Sequence, residues 1–274
     1  MSQEDQPLGF RLLDEAVDSG AYVPPSPEYI RYSKLRGAVL CVDGVLSAGK
    51  TTLGKAIAEY LNAVGVKAEF FQECVNNKLL ATFYANPQQE AFGFQCFMLK
   101  ACISNLEIAT CKARELGIVA VVDRSIWGNA VFAALQTDKG NISRAGWEVY
   151  LDILKSRPHT SDCVVYLDVD PSKCLERMKL RGREAEATVP LSYLEELEQY
   201  YTTAMLLHLR HRASNIVPIN WNNFGSVQSV LDAALLGRKY KVSGQAQLAF
   251  SGGRVLRAKL MAELIAKGEV KVGC

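Results

Sequence analysis

Hydrophobic positions along this chain fall into short unbroken runs separated by longer stretches with helical spacing. AVLCVDG (38–44) is an apolar run closed by glycine, the pattern of a strand buried on both faces. In the following KTTLGKAIAEYLNAVG, residues Leu53, Ile57, Ala58, Leu61 and Val64 recur at helical spacing, and Gly65 stands where a C-cap is expected. VKAEFFQE (66–73) predicts a second strand, a helix is expected from about 88 to 115 ending near Gly117, and IVAVVD (118–123) predicts a third strand. Residues 144–155 read as helix, CVVYLDVD (163–170) as a fourth strand, and PSKCLERMKL as a helix with Pro171 near its start. LSYLEELEQYYTTAMLLHL (191–209) is a helix with Glu195, Glu196 and Glu198 on its outer face. NIVPIN (215–220) is a fifth strand, and 225–237 a last helix. Strands that alternate with helices in this way predict an α/β fold, helices flanking a five-stranded parallel sheet.

The ends differ from this pattern. Residues 1–36 are polar, carry the PPSP turn at 24–27, and read as an N-terminal arm. Residues 37–238 form one domain, and 239–274 an extension whose helical core, RVLRAKLMAELIAKG, discloses no role. Of the 274 residues 49% are hydrophobic, enough for a sizeable core. Charge is nearly balanced, 31 basic against 29 acidic residues, so a nucleic-acid polymer is not an expected partner. The eight cysteines contain no Cys-x-x-Cys pair, and several sit inside apolar runs, which fits a reducing compartment. MSQEDQPLGF lacks the apolar segment of a signal peptide, and no stretch reaches about 18 apolar residues. The expectation is a cytoplasmic protein with no membrane partner.

The chemistry begins at GVLSAGKTTL (44–53), which fits G-x-x-x-x-G-K-[ST] between a predicted strand and a predicted helix. In such a loop the backbone N–H groups of Gly44, Val45, Leu46, Ser47, Ala48, Gly49 and Lys50 turn towards phosphate oxygens, and the helix N-terminus at Thr51 and Thr52 adds partial positive charge. Lys50 reaches the terminal phosphates, and Thr51 offers a hydroxyl to Mg²⁺. A guanine reader would carry Asn-Lys-x-Asp late in the chain; the nearest string, NNKLL at 76–80, lacks the aspartate and comes too early. In a doubly wound sheet ligands bind beyond the carboxyl ends of the strands, where Glu73 and Asp123-Arg124-Ser125 stand. One carboxylate can hold Mg²⁺ while the other accepts a proton from an attacking hydroxyl. RMKLRGRE (177–184) then supplies Arg177, Arg181 and Arg183 around Gly182, suited to a lid over transferring phosphates.

From about residue 37 to 237 the chain resembles the deoxynucleoside kinases of the P-loop type. Five motifs stand in the family's order: GVLSAGKTTL, the glutamate of FFQECV, FYANPQQEAFGFQ (83–95), the DRS triplet at 123–125, and RGREAEATVPLSYL (181–194). The resemblance implies a P-loop three-layer fold with an arginine-bearing lid, and nucleotide salvage by phosphorylation of a deoxynucleoside 5′-hydroxyl, with ATP or another nucleoside triphosphate as donor. It also implies a homodimer. Glu73 matches the general base, Arg124 the arginine beside the 5′-hydroxyl, and Asp123 the acid near Mg²⁺. Tyr84 and Glu186 match the pair that holds the sugar 3′-hydroxyl, and Gln95, with Phe94 beside it, the glutamine that reads the base edge. Asn222, Asn223 and Phe224 fall where the family brackets the donor base.

The chain also departs from the family. The tryptophan usual after the catalytic glutamate is missing from CVNNKLL. Where members preferring deoxycytidine or purines carry an arginine and an aspartate, this chain has Cys102 and Asn129. Ala133 replaces the stacking aromatic, with Phe132 adjacent. A neutral pair leaves room for a 5-methyl group and removes the acceptor for a cytosine amine, so the expectation leans to thymidine and other deoxypyrimidines. Two other readings stay open at this point: a nucleoside monophosphate kinase such as thymidylate kinase, and a non-catalytic subunit that retains the fold.

Overall fold

The computed structural model describes residues 25–156, 161–211 and 215–239. Within them five strands, β1 (Val39–Asp43), β2 (Ala68–Phe71), β3 (Val119–Asp123), β4 (Cys163–Asp168) and β5 (Ile216–Asn220), form one sheet in the order β2-β3-β1-β4-β5. Every pairing is parallel. All five residues of β1 and of β3 are buried, as strands covered on both faces must be, which is why their sequences read as continuous apolar runs. Register sets the strand ends side by side: Val42 lies opposite Asp123, and Asp43 opposite Tyr166.

The helices are α1 (Pro27–Tyr32), α2 (Lys50–Ala63), α3 (Asn77–Ala85), α4 (Pro87–Leu116), α5 (Ile126–Asp138), α6 (Arg144–Lys155), α7 (Pro171–Arg181), α8 (Leu191–His211) and α9 (Val227–Lys239). The 30-residue α4 ends on Gly117 in the left-handed conformation, close to the expected bounds. α2 packs on β1, β2 and β3 and against α9, while α4 packs on β3 and β1 and against α5. α8 lies on α5 and α7. One large core follows the sheet, and a second, smaller one gathers Phe83, Phe94, Met98, Ile126, Ala133 and Tyr150 between α3, α4, α5 and α6.

Two elements were not expected from the pattern. α3 starts on Asn76, whose side chain caps the amides of Lys78 and Leu79. α5 is apolar almost all round because α4, α6 and α8 enclose it. Part of the expected arm is also built into the core. α1, capped by Ser26, and a 3₁₀ turn at Ser33–Leu35 bury Tyr32 and Leu35, and the Tyr32 hydroxyl donates to Asp232 of α9 at 3.0 Å. Residues 1–24 and the expected helical core of 254–268 lie outside the described residues.

Candidate active site

The turn between β1 and α2 is shaped by glycine at its two ends. Gly44 has φ +148°, and a Cβ there would sit 2.9 Å from the Leu167 carbonyl oxygen. Gly49 has φ +106° and caps α2 with its first amides free of a side-chain cap. Ser47, between them, also takes a positive φ of 57°, and its hydroxyl is buried with no hydrogen-bond partner among the described residues. Lys50 Nζ donates to the carbonyls of Gly44 (3.1 Å) and Val45 (2.8 Å). Burial, and then the nearby Arg124 guanidinium, pull the Lys50 ammonium down to about 8, against the pull of Asp123, Glu73 and Asp43.

Thr51, on the first turn of α2, donates its hydroxyl to Asp123 Oδ2 at 2.5 Å. Asp123 Oδ1 is buried with no hydrogen-bond partner among the described residues, and burial raises the carboxyl above its ordinary range while Lys50 and Thr51 oppose the shift. A hydroxyl beside an unsatisfied carboxylate oxygen is the donor set that Mg²⁺ takes from a protein when triphosphate oxygens and water complete its shell. No cluster of three His, Cys, Asp or Glu side chains able to hold a metal occurs among the described residues, so an ion here would depend on those phosphates.

Arg124, next along the chain, adopts φ +75° and turns the opposite way. Its Nε bonds Glu73 Oε1 at 2.5 Å, its Nη1 donates to the Tyr201 hydroxyl at 2.7 Å, and its guanidinium lies 4.7 Å from the Phe132 ring centroid. Glu73 is close enough to bias the protonation of both Lys50 and Asp123. The loop, the Thr51–Asp123 pair and the Glu73–Arg124 pair therefore meet at the carboxyl ends of β1, β2 and β3, as the sequence reading expects.

The arginines after β4 are placed less simply. Arg177 on α7 donates to Ala48 O (3.0 Å), Trp221 O (2.9 Å) and Asn222 O (3.0 Å), and lies 4.6 Å from the Phe224 ring centroid. It braces the phosphate loop against the β5–α9 turn. There the Asn222 side chain accepts from the Asp170 amide, Asn223 is exposed, and Phe224 is 67% exposed. Arg181 and Arg183 both bond Glu186, the latter at 2.8 Å, on the 3₁₀ turn Glu184–Glu186. Glu186 is only 2% exposed, and α3 packs on its turn, which brings Tyr84 within electrostatic range of it. Burial first, then Tyr193 and Glu186, push the Tyr84 phenol well above its ordinary range.

The residues expected at the base edge lie in or beside the second core. Phe94 stacks on Phe83 with centroids 4.8 Å apart, and Gln95, next to it on α4, is 2% exposed. Cys102 and Asn129 come near each other: the Cys102 thiol is 4.0 Å from the Arg124 carbonyl, Asn129 donates to the Ser125 carbonyl at 3.3 Å, and Asn129 is close enough to influence the thiol's ionisation. Burial raises the Cys102 thiol to about 12, so it is neutral at physiological pH.

The sequence reading missed Asp43 and Tyr201 as parts of this site, and noted Phe132 only as the neighbour of Ala133, not as the ring under Arg124. Asp43, at 2% exposure, accepts from the amides of Gly44 (2.8 Å) and Ser125 (3.0 Å), from the Ser125 hydroxyl, and from the Tyr201 hydroxyl (2.9 Å). One signal was available: an acid inside an apolar buried strand must find donors.

Comparison with known proteins agrees with this geometry. A family model described as deoxynucleoside kinase matches residues 40–230. The deoxyguanosine kinase of Dictyostelium discoideum is 32% identical over 197 residues, covering 71% of this chain and 67% of that protein. The deoxyadenosine kinase of the same organism is 30% identical over 201 residues, covering 72% and 78%. Mouse deoxycytidine kinase is 27% identical over 199 residues, covering 62% and 75%. Among solved structures, deoxyadenosine kinase from M. mycoides with bound dATP superposes with a TM-score of 0.59 at 21% identity, covering 74% of this chain and all of that one. The chain belongs to the deoxynucleoside kinase family and is an enzyme of that class. No helix among the described residues is long and apolar enough to cross a membrane.

Proposed function

We propose that the enzyme transfers the γ-phosphoryl group of ATP, or of another nucleoside triphosphate, to the 5′-hydroxyl of a deoxynucleoside, with a lean to deoxypyrimidines including thymidine. The observation that carries this reading is the Glu73–Arg124 pair at 2.5 Å, held at the strand ends beside Lys50 and Asp123. Lys50 and the loop amides hold the donor phosphates. Thr51 and Asp123 would hold Mg²⁺, which when bound would supply charge neutralisation on the phosphate oxygens. Glu73 accepts the 5′-hydroxyl proton, and Arg124 orients that oxygen and offsets charge on the incoming phosphoryl group. Arg177 steadies the loop, while Arg181 and Arg183 reach the phosphates when the lid closes, and Tyr84 and Glu186 take the 3′-hydroxyl. Asn222, Asn223 and Phe224 flank the donor base.

The pyrimidine lean rests on Cys102 and Asn129, both uncharged and both set against the backbone carbonyls of Arg124 and Ser125. A purine reading is favoured instead by the relatives named deoxyguanosine and deoxyadenosine kinase. Initial rates with thymidine, deoxycytidine, deoxyadenosine, deoxyguanosine and thymidylate as acceptors, with Mg-ATP, test both. Highest kcat/KM for thymidine or deoxycytidine supports the lean, highest values for purines replace it, and turnover of thymidylate alone removes the 5′-hydroxyl reading. In the same assay Glu73→Gln lowers kcat about 10²–10⁴-fold with donor binding retained; near-normal turnover would take Glu73 out of this role.

A further inference from the structure

Arg124 is held from two sides, and only one of them belongs to the acceptor machinery described above. On the far side the Tyr201 hydroxyl accepts from Arg124 Nη1 at 2.7 Å and donates to Asp43 Oδ1 at 2.9 Å. The same Asp43 oxygen accepts from the amide of Gly44, the first residue of the phosphate loop, at 2.8 Å. The other Asp43 oxygen is taken by the amide and hydroxyl of Ser125, the residue after Arg124. A carboxylate that accepts four hydrogen bonds is saturated and fixed in place, and all of its contacts are buried. Asp43 is also 3.9 Å from Arg124 Nη1, so its charge acts on the guanidinium even without a direct bond. Tyr201 comes from α8, the helix entered from the Arg181–Glu186 segment, and its ring is clamped edge-on by Phe132 at 6.2 Å and tilted against Tyr166 at 5.6 Å.

We propose that Tyr201, anchored by Asp43, is a positioning residue for phosphoryl transfer: its hydroxyl fixes Arg124 Nη1, so that the guanidinium fork is aimed at the reacting oxygens and tied in register with the phosphate loop. The inference rests on the role proposed for Arg124. It assigns Tyr201 no contact with substrate; the residue acts through Arg124. A guanidinium bonded only through Nε to Glu73 could still pivot about that bond, and a second fixed partner removes the pivot. Losing a hydrogen bond to a charged group is worth about ten- to hundredfold in rate when the bond is needed for the transition state.

The test is a double-mutant cycle of Tyr201→Phe and Arg124→Lys on the full-length enzyme, with kcat and both KM values measured per mole of donor-binding sites. Phenylalanine keeps the ring packing and removes only the hydroxyl. Tyr201→Phe alone is expected to lower kcat about ten- to hundredfold with donor KM within about twofold. In the Arg124→Lys background, where the fork is gone, the same change is expected to alter kcat by less than about twofold. A kcat within about twofold of wild type for Tyr201→Phe, or an equal loss in both backgrounds, overturns the proposal, as a purely structural tyrosine would give no kcat loss per folded site. If Tyr201→Phe does not fold, Asp43→Asn carried through the same cycle decides by the same criteria. Arg124→Lys measured alone separates the two levels: near-normal turnover there removes the role of Arg124, whereas loss there without loss in Tyr201→Phe removes only the Tyr201 inference.

Discussion

If Lys50 must be protonated to hold the donor phosphates, its buried setting makes donor use unusually sensitive to alkaline pH. With the ammonium at about 8, it is roughly nine-tenths charged at pH 7 and roughly one-tenth charged at pH 9. An ordinary lysine near 10.4 would still be more than nine-tenths charged at pH 9. The kcat/KM for ATP, which reports ionisations of the free enzyme, should therefore fall about tenfold between pH 7 and pH 9, and little below pH 7 on account of this group. The assay is initial rates from pH 6.5 to 9.5 at constant ionic strength and fixed Mg²⁺, with the nucleoside saturating. Lys50→Arg is the control, because a guanidinium does not titrate in this range; whatever activity it keeps should show no such fall. A flat wild-type profile to pH 9.5, or the same fall in Lys50→Arg, would refute the reasoning. The sign carries over to stability. The folded lysine gives up its proton before the unfolded one, so the cost of the buried ammonium is present below about 8, and this group's contribution to stability rises as pH climbs from there towards 10.5.

Two further outcomes follow from the packing. If the buried Gln95 amide pairs with the base edge as the resemblance implies, Gln95→Ala should raise the nucleoside KM tenfold or more and leave donor KM within about twofold; equal damage to both would place Gln95 elsewhere. Gly128→Ala should lower the melting temperature by about 2–6 °C. The new Cβ would lie 2.5 Å from both carboxylate oxygens of Asp43, and that strain of about 1–3 kcal/mol should outweigh the roughly 1 kcal/mol that alanine adds to a helix. A raised melting temperature would mean that the Asp43 network yields freely.

The parts of the fold legible in the sequence were those with a local signature. The buried strands are apolar runs, the phosphate loop is fixed by two glycines and a lysine within seven residues, and α4 ends on a glycine that only its φ explains. α5 escaped because enclosure on several sides erases the apolar stripe that marks a surface helix. α3 is short and lies just before Asn86-Pro87, so its pattern is too brief to stand out. The Asp43 network was illegible for another reason: apart from the neighbouring Gly44 amide, its partners lie 82 and 158 residues away, and no spacing rule spans such separations. Arg177 illustrates the limit of reading residue type alone. An arginine after a phosphate loop suggests an anion, whereas its guanidinium here spends three hydrogen bonds on backbone carbonyls.

The end of β3 has a consequence for how the two halves of the reaction stay aligned. Asp123 bonds Thr51, on the donor side under the proposed roles, and Arg124, its immediate neighbour, bonds Glu73, on the proposed acceptor side. Their Cα atoms are separated by one trans peptide unit, about 3.8 Å, a covalent span that neither lid movement nor thermal breathing can stretch. The ruler between phosphate giver and alcohol taker is thus a single bond-locked step of backbone, and inserting even one residue between positions 123 and 124 would spoil the gauge while leaving every side chain of the site present.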